Sequence, residues 1–142
     1  MRFRGSYEFL SNFYPSKITM RMPDGKQHTF LNAEAAFQAQ KSSDPDVIAE
    51  FENMRGAQAK RRGRTVKIED LKKWNAERVD IMTEIVRQKF EQNPELLQKL
   101  RSIEGPIVED NEWNDTFWGV CNGKGENHLG KILMVVRDNA EQ

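Results

Sequence analysis

The feature that most constrains this chain is one long amphipathic segment. From Leu71 to the break at Asn93-Pro94, Trp74, Ile81, Met82, Ile85 and Phe90 recur at helical spacing. A helix of that length needs an apolar surface to pack against, so the rest of the sequence must supply one. Ile18–Met22 and Gln27–Phe30 flank Pro23-Asp24-Gly25-Lys26, a turn sequence in which Gly tolerates positive φ, and this predicts a β-hairpin. Residues 1–31 as a whole read as extended. Asn32 is placed to cap a helix running to about Lys41, with Glu34 in its first turn. Asp44-Pro45 starts another helix, with Val47, Ile48, Phe51 and Met54 as its apolar stripe and Gly56 as its end. Short helices are expected around Ala57–Arg61 and over Glu95–Ser102, a strand at Ile107-Val108, loop over 110–128, and a closing helix on Leu129, Ile132, Leu133 and Val136.

These elements add up to an α+β fold, a single compact and mostly helical domain over 1–142 with a small β-sheet. A chain of 142 residues can bury a core without disulfides or a structural metal. The single cysteine, Cys121, leaves no intramolecular disulfide and fits a reducing compartment. No apolar run approaches the roughly 18 to 20 residues of a membrane span. The start, Met-Arg-Phe-Arg-Gly, lacks an apolar signal region, so a cytoplasmic protein with no membrane partner is expected. Lys and Arg total 22 and Asp and Glu total 22, so only local patches can speak for a polyanionic partner.

Five places could carry chemistry. Glu34, Gln38 and Lys41 are spaced i, i+4, i+7 and share a helix face. That face is either an ordinary solvated one or a site, with Glu34 as acid or base and Lys41 as an amine nucleophile if its pKa is lowered. Asn114–Gly119 sets Asp115 beside Phe117, Trp118 and Gly119, which suits a ligand pocket or a turn anchored by Trp118. Gly125, Gly130 and Lys131 mimic most of a phosphate loop. Ile132 stands where a hydroxyl residue must hold magnesium, and too little chain follows, so that reading is rejected. A softer version remains, in which backbone N–H groups at the last helix's start face a phosphate. Arg55, Lys60, Arg61, Arg62, Arg64 and Lys67 follow one another with no acid between, which is either a solvated surface or a contact for diphosphate or nucleic acid. Arg78 puts a cation on the apolar stripe of the long helix, either paired inside the fold or aimed into a pocket. His28, His128 and Cys121 are too scattered to imply a metal.

Taken in order, these pieces resemble the YbiA-like (NADAR) N-glycosidase family. The matching runs are Phe9–Pro15, Asn32–Lys41, Ala59 with Gly63-Arg64, Trp74 with Arg78 and Met82, and Lys89-Phe90. They continue with Asp115 and Trp118-Gly119, then Gly125–Gly130 and Leu133–Arg137. The resemblance implies a compact α+β domain with a pocket between helices that hydrolyses N-glycosides without a cofactor. Two substrate classes are implied: ribosylamino-pyrimidine intermediates of riboflavin biosynthesis, and ADP-ribose attached to guanine in a nucleoside or nucleic acid. Carried over residue by residue, Ser11, Asn12 and Phe13 line the pocket. Lys41 attacks the anomeric carbon or serves as general acid, and Glu34 takes protons. Asp115, as a third catalytic candidate, and Asn127 fix the ribose, and Trp118 stacks on base or sugar. Arg64, Arg78 or the Gly125 backbone holds phosphate. Gln38, Trp74 and Gly119 complete the substrate-binding set. The competing reading is a non-catalytic binding module for ADP-ribose or nucleic acid. A tension lies inside the lysine version: an amine paired tightly with Glu34 stays charged and is a poor nucleophile.

Overall fold

The computed structural model describes residues 1–139. Helices dominate it, joined by two two-stranded sheets, which is an α+β fold. Its contacts gather into two units, residues 12–93 and residues 1–11 with 94 onward.

In the unit formed by residues 12–93, β1 (Ile18–Arg21) pairs antiparallel with β2 (Gln27–Phe30), Ile18 opposite Phe30. The turn closes through Gly25 N–H to the Met22 carbonyl at 2.9 Å, and Gly25 takes φ +81°, as the turn sequence requires. α1 (Ala33–Ala39) begins at Asn32, whose Oδ1 accepts from Ala35 N–H at 2.8 Å while its Nδ2 donates to the Met54 carbonyl at 2.9 Å. One buried amide thus caps α1 and pins a second segment beneath it. α2 (Pro45–Glu50) starts at Asp44, whose carboxylate accepts from Asp46 N–H, with Pro45 where no N–H is needed. α4 (Leu71–Gln92) is capped by Asp70, which accepts from Lys73 N–H at 3.0 Å. Ile18, Phe30, Ile48, Phe51, Met82, Ile85 and Phe90 are fully buried in this unit. Each such side chain contributes about 1.5–3 kcal/mol of transfer free energy.

Gly56 begins a helix here, α3 (Gly56–Gly63), where the sequence suggested that it ends one. α2 stops at Glu50, a 3-10 turn follows at Phe51–Asn53, and Met54 is already extended at φ −89°, ψ 140°. Gly56 is buried with the Phe13 ring against its Cα, so packing uses its missing side chain.

In the other unit, residues 5–10 form a 3-10 turn, not the extended chain expected of 1–31. α5 (Pro94–Arg101) buries Leu96 and Leu100, and α6 (His128–Asn139) buries Leu129, Ile132 and Leu133. The strand predicted at Ile107-Val108 lies further on: β3 (Asp110–Asn111) pairs parallel with β4 (Val120–Cys121). Ile107 is buried, but its carbonyl is taken by the Asn127 side chain, so the ladder starts only at Glu109, whose carbonyl accepts from Val120 N–H at 2.8 Å. Both strands fall inside the stretch expected to be loop.

One clamp fixes the hairpin turn. His28 Nε2 lies 2.7 Å from Asp24 Oδ2 and His28 Nδ1 lies 2.8 Å from Glu52 Oε1. Burial pulls the imidazole pKa down, but the hydrogen bonds and charges of Asp24 and Glu52 outweigh it and raise the pKa above its usual 6.5. A raised folded-state pKa stabilises below the unfolded value and loses that contribution as pH climbs through the folded one. The melting temperature of wild type should therefore exceed that of His28→Ala most at pH 6 and by progressively less toward pH 8.5. A gap that stays constant over that range contradicts the charged clamp.

Candidate functional site

In the unit of residues 12–93, the helix face read from sequence becomes a built arrangement. Asn32 fixes where α1 starts and so which residues face which way; the Glu34 N–H also donates to the Asn12 carbonyl at 3.0 Å. Gln38, one turn on, is buried and donates its side-chain amide to Glu34 Oε2 at 2.7 Å. Lys41 lies just past the helix end and reaches across to α3, donating from Nζ to the Gly63 carbonyl at 3.1 Å. The ammonium stands 5.9 Å from the centre of the Trp74 ring, which itself packs against Phe37 with centroids 5.2 Å apart.

Gly63 makes this possible. It is buried, and a Cβ there would overlap the Gln38 side-chain amide. α3 therefore approaches α1 with only a glycine between, close enough for a backbone carbonyl to meet the lysine. Burial lowers the Lys41 pKa from the ordinary lysine value; the Glu34 charge raises it, but by less. Lys41, Ser42, Ser43, Lys73, Trp74 and Glu77 contribute to the wall of a cleft of about 400 Å³. The arrangement offers a proton-accepting carboxylate and an amine of reduced basicity in one place.

Glu34, Gln38, Lys41 and Trp74 are thus brought together. Asn12 sits at the entry to α1, with its Nδ2 3.5 Å from Met82 Sδ. Phe13 is 42% exposed, its ring flanking Gly56. Arg78 is half-buried on α4, one turn after Trp74. Arg64 ends α3 and is exposed. The basic window is partly neutralised from within the fold, since Arg62 donates to Glu50 Oε2 at 2.9 Å and to Thr65 Oγ1 at 2.8 Å.

In the other unit, Asp115, Trp118, Gly119, Gly125 and Asn127 also gather, and here the structure reassigns several. Asn127, expected on a ribose, is buried at φ +54°, with Oδ1 accepting from Glu109 N–H at 2.9 Å and Nδ2 donating to the Ile107 carbonyl at 3.0 Å. Its amide is engaged at both ends by the backbone. Asp115 Oδ1 accepts from the N–H groups of Phe117 and Trp118 at 3.1 and 2.9 Å, so one carboxylate oxygen organises the turn. The N–H groups at the start of the last helix, one part of the softer phosphate reading, are likewise engaged. The N–H groups of Glu126, Asn127, His128 and Leu129 donate to the carbonyls of Thr116, Gly119, Phe117 and Trp118, leaving none of those four aimed at an anion. Gly119 and Gly125 serve packing: a Cβ on the first would overlap Glu109, and one on the second would overlap the Gly119 carbonyl. Trp118, Phe117 and His128 form an aromatic cluster, with centroids 4.8 Å apart for Phe117 and Trp118 and 4.5 Å for Phe117 and His128. Ser11 is half-buried at the end of the 3-10 turn, its N–H donating to the Glu8 carbonyl.

Two features escaped the sequence reading. Gly63 was noted only as part of a motif, because what it does depends on a helix that arrives from elsewhere. Lys89, which the sequence marks only within the matching run Lys89-Phe90, is fully buried, and burial pulls its pKa down to about 7. It could have been found by placing it on the stripe of Met82, Ile85, Val86 and Phe90, all buried on the same helix.

A carboxylate, a half-buried amine and aromatic side chains in one place can serve acid–base or nucleophilic chemistry. The comparisons with known proteins give the family. Residues 2–140 match the NADAR domain model. The chain is 34% identical over 136 residues to the N-glycosidase YbiA of Escherichia coli, covering 93% of this chain and 81% of that protein. A riboflavin biosynthesis protein of Vibrio vulnificus is 33% identical over 141 residues, covering 96% of this chain, which spans only 36% of that longer protein. The solution structure of E. coli YbiA superposes with a TM-score of 0.79 at 33% identity, over 97% of this chain and 82% of that one. The chain belongs to the NADAR family. Among the described residues, no helix is long and apolar enough to cross a membrane.

Asn127→Ala removes both buried backbone contacts of that amide and places alanine at positive φ. It should destabilise the protein by about 2–4 kcal/mol, read as a lowered urea midpoint. A change under about 0.5 kcal/mol contradicts the framework role.

Proposed function

We propose that this chain hydrolyses the N-glycosidic bond of a ribosylated base, either a ribosylamino-pyrimidine or an ADP-ribosylated guanine. Membership of the NADAR family, with relatives named N-glycosidases, makes it a hydrolase acting on N-glycosyl compounds. The observation that carries the finer reading is the Lys41 amine, lowered in pKa by burial, held 5.9 Å from the Trp74 ring centre in a cleft, with the Glu34 carboxylate close enough for its charge to act on it. The riboflavin biosynthesis name of the Vibrio relative supports the pyrimidine class. The guanine class rests on the family resemblance.

The chemistry proceeds in one of two balanced ways. In direct hydrolysis, the C1–N bond breaks with its electron pair going to the base, the base gains a proton, and water deprotonated toward Glu34 forms the new C1–O bond. In the covalent route, neutral Lys41 attacks C1 as the base leaves. The sugar ring opens, C1 becomes an imine on Nζ, and water then releases the sugar aldehyde and restores the amine. In both, positive charge builds at C1 in the transition state and a nearby carboxylate stabilises it. The substrate partner is a small ribosyl or ADP-ribosyl compound, or ADP-ribosylated nucleic acid. A non-catalytic module is the weaker reading, because it gives the lowered amine no task and because Arg62 of the basic window is held by Glu50.

With ribosylamino-pyrimidine and ADP-ribosylated guanosine as substrates, wild type should release free base from at least one. Glu34→Gln should lower kcat by roughly 10²–10⁴-fold while ligand affinity persists. No base from either substrate at high enzyme, with affinity retained, would instead favour the binding module. Borohydride added during turnover should leave a sugar adduct on Lys41; an unmodified Lys41 with turnover intact selects direct hydrolysis.

A further inference from the structure

The cations of α3 and its two ends stand apart from the acids of their unit. Arg55, Lys60, Arg61, Arg62, Arg64 and Lys67 follow one another with no acid between. Among the described residues, Arg62 alone of these is in an ion pair, with Glu50. Arg55, Arg61, Arg64 and Lys67 are exposed and Lys60 is half-buried. α3 buries Gly56, Ala59 and Gly63, which fall on one stripe. At roughly 100° of rotation per residue, Lys60, Arg61 and Arg64 then share one flank and Arg62 stands on the other. The acids of neighbouring segments are engaged elsewhere: Glu34 accepts from Gln38, Glu50 from Arg62, and Glu52 is bonded to His28. In a chain whose net charge is zero, this is a local concentration of positive charge.

The cleft beside it has a different character. Lys41 and Lys73 share its wall with Glu69, Asp70 and Glu77, so acids outnumber bases there and its interior does not attract a polyanion. Flank and cleft are nevertheless joined. Lys41 Nζ donates to the Gly63 carbonyl at 3.1 Å, and Ile68 and Glu69, which follow Lys67, also line the cleft. A ligand that spans both must lay its phosphates on α3 and turn a less charged part into the cleft. Length decides what kind of ligand that is. Arg55 and Arg64 are about 13 Å apart along the helix axis, at about 1.5 Å per residue. A strand in duplex geometry carries a phosphate about every 3.4 Å, so several fit over that length, whereas one diphosphate does not reach both ends.

We infer that the basic flank of α3, with Arg55 and Lys67 at its ends, is a docking surface for the phosphodiester backbone of a nucleic-acid strand. The backbone runs along α3, and the nucleotide nearest Gly63 turns toward Lys41 and Trp74. This last step rests on the glycosidase reading and deepens it, because it makes the base that is released one carried by a strand. Contacts to phosphate position a strand without reading its bases, so docking is independent of sequence.

Fluorescence anisotropy of a labelled, unmodified DNA strand of about 20 nucleotides tests the surface without a bond to cleave. Wild type should bind, and log Kd should rise linearly with log salt concentration. The slope should be about 3.5, from about 0.7 for each phosphate met by one of five cations. Lys60→Gln, Arg61→Gln and Arg64→Gln together should cut the slope by about 2 and weaken binding more than about tenfold at roughly 150 mM salt. Glutamine has nearly the helix propensity of lysine and arginine, so α3 is retained. The same loss of charge at the exposed Lys17, Lys26 and Lys124 should leave the slope at its wild-type value. If the α3 variant does not fold, wild type alone carries the test: the strand should protect Lys60 and Lys67, and not Lys17 and Lys26, from an amine-reactive ester. Absence of binding at low salt overturns the surface. So does an α3 variant with the wild-type slope, or labelling of Lys60 and Lys67 that the strand leaves unchanged. ADP-ribose binding as tightly as the strand, and lost in the same variant, would make the flank a diphosphate subsite and overturn strand docking. Docking by a protein that releases no base from any substrate would keep the surface and remove the glycosidase assignment. Base release from small substrates without docking would do the reverse.

Discussion

α3 approaches α1 at Gly63 with nothing but a backbone between them. In the unit of residues 12–93, the candidate chemistry follows from that approach. It admits the buried Gln38 amide, which orients Glu34. It also brings a carbonyl within reach of Lys41 and closes enough of the surroundings to lower the basicity of that amine. Any side chain at Gly63 would overlap the Gln38 amide, so one of the two helices would have to shift. The long α4 contributes the opposite wall through Trp74, and it can do so because Met82, Ile85 and Phe90 anchor it in the core of that unit.

The loop of the second unit obeys a different logic. Its residues that looked like ligands to a sugar or a phosphate mostly hold the loop itself. Asn127 bridges Ile107 and Glu109, Asp115 gathers two backbone amides, and Gly119 and Gly125 let strands and turn come close. A segment with so little regular structure must satisfy its backbone groups with side chains, and Asn and Asp at sharp turns do this well. The rings of Phe117, Trp118 and His128 pack on one another beside that framework.

How much of this was legible beforehand depends on the range of the interactions involved. The hairpin, the Asn32 cap, the Asp44-Pro45 start and α4 were readable because each is set by residues a few positions apart. Gly56 was misread because glycine ends helices by conformation and starts this one by packing, and only the Phe13 ring distinguishes the two. The strand near residue 107 was misplaced because a side chain, Asn127, took the carbonyl that a ladder would have used. The shared face of Glu34, Gln38 and Lys41 was visible from spacing. That Lys41 bonds to the Gly63 carbonyl was not, since the two residues belong to separate segments and no local pattern links them. Lys89 was invisible for the same reason: a lysine's burial is decided by what packs over it.

The account stands on the claim that the bond broken is the one between a sugar C1 and a base nitrogen. Product identification by rapid quench and mass spectrometry tests it most directly, with the ribosylamino-pyrimidine and the ADP-ribosylated guanosine supplied separately. The account predicts free base and intact sugar moiety appearing together, in equal amounts and at one rate, from at least one of them. A base still attached to its sugar after the enzyme has acted, whether through cleavage at a phosphate or alteration of the ring, would contradict it.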